Sequence, residues 1–364
     1  MLKKTIRRLG ALAMVLAMAV SVFAVNASAA GLYEGGENGL TSITLTKKLT
    51  VGVNALTPAA TATFSVTPAS ANQVAGGKSV TVNGETKTYP VNVGVADGLT
   101  FASGADTVTF TQGQDKVQGT NYAQQQTALT VNASAFTAPG IYRYVVTETS
   151  VTGDGVATDT STYYVDLYVE NDGDNGYKVV SAEALKVGES SNEKSDLVFD
   201  NVYTSNTLTV TKSVVGAMGD KNHKWDITVT VYGADSGKTF ATDYDKPANE
   251  GTGKVVLTSG VAYTFKLADG EKVEIYGLSA NDKYIVDETD SKVTADGYTV
   301  TGEELGTDGE ATATISQATT VTITNTREAA SPTGVIMTIA PYALMVVLAG
   351  AFAVVFLTRR NRAE

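Results

Sequence analysis

The feature that most constrains this chain is an internal repeat of three short segments that recur in the same order. The matched pairs are ITLTK at 43–47 with LTVTK at 208–212, YVVTET at 144–149 with YIVDET at 284–289, and LVFDN at 197–201 with VTITN at 321–325. Three matches in one order indicate two homologous units. We place the boundary near residue 204, which predicts domains at 30–204 and 205–328.

Each unit consists of alternating apolar and polar runs that are separated by Gly, Asn and Asp. Charged residues make up only 18% of the chain, which does not favour solvent-exposed helices. Short alternating runs between turn residues are typical of antiparallel β-sandwiches. The sequence therefore predicts an all-β protein with two tandem immunoglobulin-like β-sandwich domains.

The composition excludes several classes of function. The chain has 27 Lys and Arg against 38 Asp and Glu, a formal charge of -11, one His and no Cys. Nucleic-acid binders hold phosphates with clustered Lys and Arg, so we expect no nucleic-acid partner. Without Cys there are no disulfides, thiolate metal sites or Cys nucleophiles, and a single His argues against His-based catalysis or zinc binding. We expect no metal and no cofactor, and the chain is not predicted to be an enzyme.

The N-terminus reads as a secretory signal peptide at 1–29. Four basic residues in the first eight precede an apolar run from Ala11 to Val25, and Ala27-Ser28-Ala29 supplies small residues at the cleavage site. The alternative is an N-terminal membrane anchor. The apolar run is shorter than the roughly 20 residues that a membrane-spanning helix needs, so removal of the segment is favoured.

The C-terminal segment, 329–364, has a different pattern. Val335 to Leu357 carries no charged residue, and Arg359, Arg360 and Arg362 follow directly. This run is long enough to span a bilayer, and the basic residues place the tail in the cytoplasm. The sequence thus predicts transient membrane insertion of a precursor whose remaining residues are extracellular.

Pro332, Thr333 and Gly334 stand just before this span. The order of Pro-Thr-Gly, apolar span and basic tail resembles the cell-wall sorting signal of Gram-positive surface proteins. The resemblance implies that a sortase cuts between Thr333 and Gly334 and transfers the Thr carbonyl to an amine. Pro332 should keep this region extended. The motif departs from Leu-Pro-x-Thr-Gly and is closer to variant pilin signals, so a class C type or another pilus sortase could read it. The alternative is an ordinary membrane protein whose Pro-Thr-Gly forms a turn.

Strand periodicity directs three polar residues of each unit into an apolar core, because side chains two residues apart share a face. The predicted sets are Lys47, Glu148 and Asn201 in the first unit and Lys212, Glu288 and Asn325 in the second. Burial lowers a Lys pKa and raises a Glu pKa, which favours a neutral amine beside a neutral acid. Such an amine is a nucleophile, and the acid can polarise the Asn carbonyl and pass protons to departing ammonia. The predicted product is a Lys–Asn amide.

This pattern resembles the intramolecular isopeptide domains of Gram-positive pilins, particularly the T-antigen type backbone pilins of streptococci. The shared features are Lys on the first strand, a Tyr-x-Val-x-Glu strand, and Asn on the last strand. The resemblance implies that Glu148 and Glu288 promote the Lys47–Asn201 and Lys212–Asn325 bonds. Two simpler interpretations stay open. A Lys on an edge strand is often structural, and a one-residue bulge would exchange Lys47 with Lys48.

The resemblance also implies a function as the shaft subunit of a sortase-polymerised pilus on the Gram-positive cell surface. Its partners would be a sortase, further copies of itself, minor pilins and cell-wall peptidoglycan. Polymerisation requires an acceptor amine. We select Lys194, seven residues before Asn201, over Lys178 and Lys186.

Two other functions remain possible from the sequence. A wall-anchored or membrane-held adhesin that binds a host glycan or protein would share the sorting signal, and even the amide bonds, without needing an acceptor lysine. A surface glycosidase would need a carboxylate pair, and acidic residues are plentiful. A covalent ladder that survives boiling in detergent is expected only for the shaft pilin.

Overall fold

The regular structure consists mainly of β-strands, which confirms the all-β prediction. The structure is a computed structural model that describes residues 31–82, 85–173, 176–188, 193–307, 310–329 and 333–360. The predicted signal peptide therefore lies outside the described residues. The α-helices are α1 (Ala71–Val74), α2 (Lys292–Asp296) and α3 (Thr333–Arg360).

The described chain divides into two compact units. The first extends to Asn206 and also includes Gly233–Ala241 and Tyr276–Ala280. The second consists of Thr207–Tyr232, Thr242–Ile275 and the residues from Asn281 onward.

The described residues between 31 and 206 form fifteen strands. They are β1 (Leu32–Glu34), β2 (Ser42–Thr50), β3 (Ala60–Pro68), β4 (Lys78–Val82), β5 (Glu85–Tyr89), β6 (Val91–Val93), β7 (Leu99–Phe101), β8 (Thr107–Phe110), β9 (Tyr122–Val131), β10 (Gly140–Thr152), β11 (Val156–Ala157), β12 (Thr162–Asn171), β13 (Tyr177–Lys186), β14 (Glu193–Lys194) and β15 (Val198–Tyr203). A 3₁₀ turn at Ala133–Ala135 precedes β10.

Two sheets enclose the core of this unit. One has the order β1-β13-β12-β10-β3-β8, with β14 beside β13 and β6 beside β10, and the other has the order β11-β15-β2-β9-β7. Apolar residues alternate along the strands, so one face of each sheet is buried. The rings of Phe64 on β3 and Phe199 on β15 lie 5.2 Å apart, which marks the contact between the sheets. Strands β4 and β5 form a separate hairpin.

The described residues from 206 onward form ten further strands. They are β16 (Asn206–Val215), β17 (Trp225–Tyr232), β18 (Thr239–Asp245), β19 (Lys254–Thr258), β20 (Tyr263–Leu267), β21 (Lys272–Leu278), β22 (Lys283–Glu288), β23 (Thr299–Thr301), β24 (Ala313–Thr314) and β25 (Thr319–Thr326). They form one sheet of order β19-β18-β21-β16-β25-β23 and another of order β20-β17-β22-β24. A 3₁₀ turn at Ala248–Glu250 precedes β19.

Both halves of the chain pair their first long strand with their last in parallel. Strand β2 pairs with β15, with Lys47 opposite Phe199. Strand β16 pairs with β25, with Lys212 opposite Ile323. In each case the predicted Asn lies two residues beyond the partner of the Lys, on the same face of the sheet. The two registers are therefore equivalent, and they place Lys and Asn on neighbouring strands.

The last element of the described residues is α3, which begins at Thr333. Within the described residues, no helical stretch is both long enough and apolar enough to cross a membrane. The predicted membrane span therefore stays a prediction.

Candidate crosslinking sites

The first site lies between the two sheets of the first unit. Along β2 the buried residues alternate with partly exposed ones, and Lys47 is fully buried among Ile43, Leu45 and Leu49. Lys48 points to the opposite face, where its ammonium lies 4.6 Å from the centre of the Tyr122 ring. Strand β2 thus keeps its regular alternation, and Lys47, not Lys48, faces the core.

Glu148 contacts both predicted partners of this site. Lys47 Nζ lies 2.7 Å from Glu148 Oε2, and both side chains are fully buried. Asn201 donates from Nδ2 to Glu148 Oε1 at 2.7 Å and to the carbonyl oxygen of Ala157 at 2.6 Å. The pairing of β10 with β3 shifts between Glu148 and Ser150, which is a β-bulge directly after the glutamate. Bulges redirect neighbouring side chains and are common beside functional sites.

The second site repeats this arrangement on β16, β22 and β25. Lys212 Nζ lies 2.6 Å from Glu288 Oε2, again with both side chains fully buried. Asn325 donates from Nδ2 to the same Oε2 atom at 3.2 Å. The structure therefore brings Lys, Glu and Asn together in both units, as the periodicity of the sequence predicts.

Burial shifts the pKa of both lysines and of Glu288. Desolvation lowers the pKa of Lys47 and of Lys212 below the ordinary lysine value, although hydrogen bonding to Glu148 and Glu288 partly opposes the shift. Desolvation also raises the pKa of Glu288. A lowered amine pKa and a raised acid pKa bring the neutral amine–acid pair closer in free energy to the ion pair. The neutral pair is the form from which the amine can attack.

Aromatic rings shield both ammonium groups from water. Lys47 Nζ lies 6.0 Å from the centre of the Phe64 ring, and Lys212 Nζ lies 5.1 Å from the centre of the Trp225 ring. Trp225 is completely buried. These rings form part of the apolar surroundings whose burial of each lysine lowers its pKa.

The orientation of the two asparagine amides differs from the sequence-based mechanism. We expect the acid to polarise the amide carbonyl, but in both units the amide nitrogen faces the glutamate. An ionised carboxylate accepts hydrogen bonds and cannot donate them, so it attracts the NH₂ group. In this orientation the glutamate is placed to give a proton to the nitrogen that leaves. Polarisation of the carbonyl by a protonated glutamate would require the amide to turn.

Sequence reasoning missed the residues that hold each glutamate. The backbone N–H of Asp159 donates to Glu148 Oε1 at 2.9 Å, and that of Asp290 donates to Glu288 Oε1 at 3.3 Å. Glu303 Oε1 accepts the backbone N–H of Glu288 at 3.2 Å, and desolvation raises the pKa of Glu303. The contact from Asp290 could have been predicted, because this residue lies only two positions after Glu288 in the sequence. Asp159 and Glu303 lie in irregular segments, where periodicity gives no signal.

Lys194, the predicted acceptor, lies on the short strand β14 beside β13. Its side chain is 62% exposed, and its Nζ lies 2.6 Å from Glu183 Oε1. The other candidates have weaker partners. Lys178 Nζ lies 3.4 Å from Asp172 Oδ1, and Lys186 Nζ lies 5.9 Å from the centre of the Tyr163 ring. Lys194 is thus an accessible amine held by a buried carboxylate.

The predicted sorting signal is only partly described, because Pro332 lies outside the described residues. Thr333 and Gly334 form the first turn of α3, so the expected extended conformation is wrong for these two residues. Pro restricts the residue before it and is compatible with the start of a helix that follows it. The first backbone N–H groups of a helix lack intrahelical partners, so opening this turn breaks few hydrogen bonds.

Within the described part of the chain, His, Cys, Asp and Glu side chains do not gather in threes close enough to hold a metal ion.

Comparison with known families divides the chain at the same region as the repeat. Residues 43–204 match the Spy0128-like isopeptide containing domain, and residues 206–327 match a domain of unknown function, DUF7601. A pilin of Streptococcus pyogenes serotype M1 is 28% identical over 337 residues, which cover 88% of this chain and 91% of that protein. The pilus tip adhesin Cpa of S. pyogenes is 31% identical over 131 residues, which cover 35% of this chain and 18% of the adhesin.

Solved structures of pilins have the same fold. The major pilin T3.2 of S. pyogenes aligns with a TM-score of 0.53 at 23% identity, covering 82% of this chain and all of that one. Another S. pyogenes major pilin aligns with a TM-score of 0.50 at 23% identity over 79% of this chain and 99% of that one. The resemblance predicted from the sequence is therefore confirmed: the chain is a relative of the T-antigen type backbone pilins of streptococci.

Proposed function

We propose that this protein is the structural subunit of a covalent, sortase-assembled pilus, and that an amide bond between first and last strands locks each of its two domains, 30–204 and 205–328. The observation that carries the proposal is the convergence of a buried lysine, glutamate and asparagine at equivalent register positions in both halves of the chain. Buried charges are costly in a β-sandwich core, and their repetition at the same place supports a shared chemical purpose.

The proposed reaction is an amide exchange. The lysine ammonium gives a proton to the glutamate, and its neutral Nζ attacks the Cγ atom of the asparagine. A C–N bond forms, the bond from Cγ to Nδ2 breaks, and the glutamate supplies a proton to the leaving nitrogen. The attacking nitrogen gives up its surplus proton through the same carboxylate. The departing ammonia takes up this second proton and leaves as ammonium, so each bond lowers the mass by one ammonia and the glutamate returns to its ionised form.

The parallel pairing of first and last strands gives these bonds a mechanical role. A force that enters one terminal strand would leave through its neighbour by way of the Lys–Asn amide. The strands between them would carry no load. Closing a loop of more than a hundred residues also constrains the unfolded chain, which for a disulfide of that span contributes about 4 to 5 kcal/mol. Both effects suit a thin extracellular fibre of single subunits.

Polymerisation would join Thr333 of one subunit to Lys194 of the next. We propose that a pilus sortase cleaves between Thr333 and Gly334 while α3 and the basic tail hold the precursor at the membrane. The Lys194 side chain is more exposed than that of Lys178, and unlike the exposed Lys186 its ammonium is held by a buried carboxylate, which together support its selection. Minor pilins and cell-wall peptidoglycan would be further partners at the ends of the fibre.

Intact-mass measurement of residues 30–333, expressed without sortase, tests the amide bonds. We expect a mass lower than that of the sequence by two ammonia molecules. Glu148→Ala and Glu288→Ala should each restore one. A mass equal to that of the sequence would refute both bonds.

Replacement of Lys194 tests polymerisation. The precursor is co-expressed with its sortase, and the products are boiled in detergent and separated by size. Lys194→Arg keeps the positive charge and should abolish the ladder, while Lys178→Arg and Lys186→Arg serve as matched controls and should not. An unchanged ladder in Lys194→Arg would refute this acceptor.

A second candidate function is a surface adhesin, which the match of 131 residues to a tip adhesin supports. An adhesin would retain both amide bonds without forming a homopolymer. A ladder of regularly spaced subunits favours the shaft, whereas a single wall-linked species favours the adhesin.

A further inference from the structure

A second group of buried charges lies on the outer face of the larger sheet of the first unit. Arg143 on β10 pairs across the sheet with Asp166 on β12, and Asp166 pairs with Glu183 on β13. All three residues are buried, although their strand neighbours, such as Tyr144, point to the opposite face and into the apolar core. The segment that covers them includes Gln73, whose carbonyl oxygen accepts a hydrogen bond from Arg143 Nη1 at 2.8 Å.

Within this group the two carboxylates share Lys78, which lies 3.5 Å from Asp166 Oδ2 and also contacts Glu183, but they differ in their other partners. Asp166 receives a bidentate pair from Arg143, with Nε to Oδ1 at 2.7 Å and Nη2 to Oδ2 at 2.8 Å. Glu183 makes no contact of this kind with Arg143. Arg143 therefore neutralises Asp166 through a bidentate pair, whereas the cations that contact Glu183 are lysines.

Glu183 holds two lysines, one on each carboxylate oxygen. Oε1 lies 2.6 Å from Lys194 Nζ, while Oε2 contacts Lys78 Nζ and accepts the Tyr168 hydroxyl at 3.1 Å. The Glu183 side chain is only 2% exposed. Contacts from Lys78 and Tyr168 fix one oxygen, so the other is presented in a defined direction at the edge of the covered region.

Exposure distinguishes the two lysines. The Lys194 side chain is 62% exposed, whereas that of Lys78 is 15% exposed. An enzyme that carries an acyl group can reach Lys194, but it cannot reach Lys78 without displacing the covering segment. Lys78 is thus suited to anchoring Glu183, and Lys194 is suited to reacting.

We propose that Glu183 positions Lys194 for intermolecular transfer and accepts the proton that its ammonium must lose. The inference rests on the proposed function of Lys194. The Thr333 acyl group would arrive as a thioester on the sortase. Lys194 Nζ would transfer a proton to Glu183 Oε1 and attack the Thr333 carbonyl carbon. The new C–N bond forms as the C–S bond breaks, and the departing thiolate takes up the proton that the amine releases.

This role explains why a buried carboxylate is aimed at an exposed amine. A lysine ammonium in water is not a nucleophile, and its long side chain samples many rotamers. A contact of 2.6 Å to a fixed oxygen limits those rotamers and provides an acceptor for the proton. General-base assistance of this kind typically contributes 10²- to 10⁴-fold to a rate.

The test measures the initial rate of dimer formation by the full precursor and its sortase as a function of pH. Glu183→Gln should slow the reaction by about 10- to 100-fold at pH 7, within the range of general-base effects. The deficit should shrink at alkaline pH, where hydroxide can take the proton instead. Asp166→Asn is the matched control, because it disturbs the same charge group without touching Lys194.

Each outcome separates this inference from the acceptor assignment. Lys194→Arg with an unchanged ladder would refute the acceptor, and the role of Glu183 with it. If Lys194→Arg abolishes the ladder but Glu183→Gln reacts at the wild-type rate, or is slowed equally at every pH, the role of Glu183 alone is refuted. Release of two ammonia molecules and an unchanged unfolding midpoint verify folding.

If Glu183→Gln does not fold, Glu183→Asp carries the test, since it retains the charge and withdraws the carboxylate from Lys194. We expect it to be several-fold slower at pH 7 with the stability of the wild type. A wild-type rate would overturn the inference.

Discussion

The two candidate crosslinking sites use equivalent strands but differ in how the glutamate is shared. In the first unit Glu148 uses separate oxygens for Lys47 and Asn201. In the second, Lys212 and Asn325 both contact Oε2 of Glu288, and Oε1 receives a backbone N–H. Strand register is common to both sites, whereas the details of hydrogen bonding depend on the loops around them. Strand register thus brings the reactive groups together, and the loops set how firmly they are held.

The two asparagines show this most clearly. Asn201 donates to Glu148 and also to the carbonyl oxygen of Ala157. Asn325 donates to Glu288, and its Oδ1 atom is buried without a hydrogen-bond partner among the described residues. A buried carbonyl oxygen without a partner is unfavourable. The Asn325 amide is therefore less firmly held in its orientation than that of Asn201. Turning it would cost less free energy, because its Oδ1 has, within the described structure, no hydrogen bond to lose.

The largest expected effect comes from removing a glutamate. Glu148→Ala should prevent the first bond and also leave Lys47 buried without a counter-ion, and breaking a buried ion pair typically costs 3–5 kcal/mol. The matched variant Asn201→Ala prevents the bond but keeps the ion pair. Thermal unfolding followed by intact mass should rank Glu148→Ala as the less stable of the two. Equal unfolding midpoints for the two variants would show that loss of the Lys47–Glu148 ion pair adds no destabilisation to the loss of the crosslink.

Removal of an asparagine should have the next largest effect. Asn201→Ala and Asn325→Ala each delete one covalent link between terminal strands, and loop-closure models give about 4 to 5 kcal/mol for a link of this span. Each variant should show one ammonia less released and a lower midpoint for the affected unit. The other unit is the internal control. A variant with the wild-type midpoint would mean that the bond constrains the unfolded chain very little.

The sequence predicts the placement of Lys, Glu and Asn in both cores, on which these expected effects depend. Period-two alternation places Lys47 and Lys212 inside the core, and the repeated order of the segments anticipates that Glu and Asn will meet them. The observed contacts agree with that pattern, because a sheet with one buried face fixes which residues point inward. Burial then accounts for the pKa shifts of the lysines without any further information.

Other features depend on groups that no periodic pattern marks. Asp159 and Glu303 reach the sites from irregular segments, and the bulge after Glu148 depends on pairing with β3. The asparagine amides face the glutamate through nitrogen because an ionised carboxylate selects donors, which residue type alone does not reveal. The group around Glu183 depends on a covering segment whose path cannot be read from alternation.

The looser hold on Asn325 predicts that the second bond forms first. Turning the Asn325 amide breaks one hydrogen bond from Nδ2, whereas turning that of Asn201 breaks two. One net hydrogen bond is worth about 1 kcal/mol, so the rates should differ by roughly fivefold. Cell-free synthesis, quenched at intervals and mapped by peptide mass, would follow both bonds in one molecule. Formation of Lys47–Asn201 first would reverse the comparison.

The smallest expected effect concerns the pH dependence of the second bond. The reactive pair of neutral Lys212 and neutral Glu288 holds one shared proton, so the rate should fall in acid, where the pair gains a second proton, and in alkali, where it loses the first. The negative charge of Glu303 raises the pKa of Lys212. A nearby negative charge favours binding of each of the two protons. Glu303→Gln removes that charge, so both protons should be lost at lower pH and both limbs of the profile should move to lower pH. The first bond, measured in the same molecules, supplies the control, and a profile that moves equally for both bonds would exclude a local effect of Glu303.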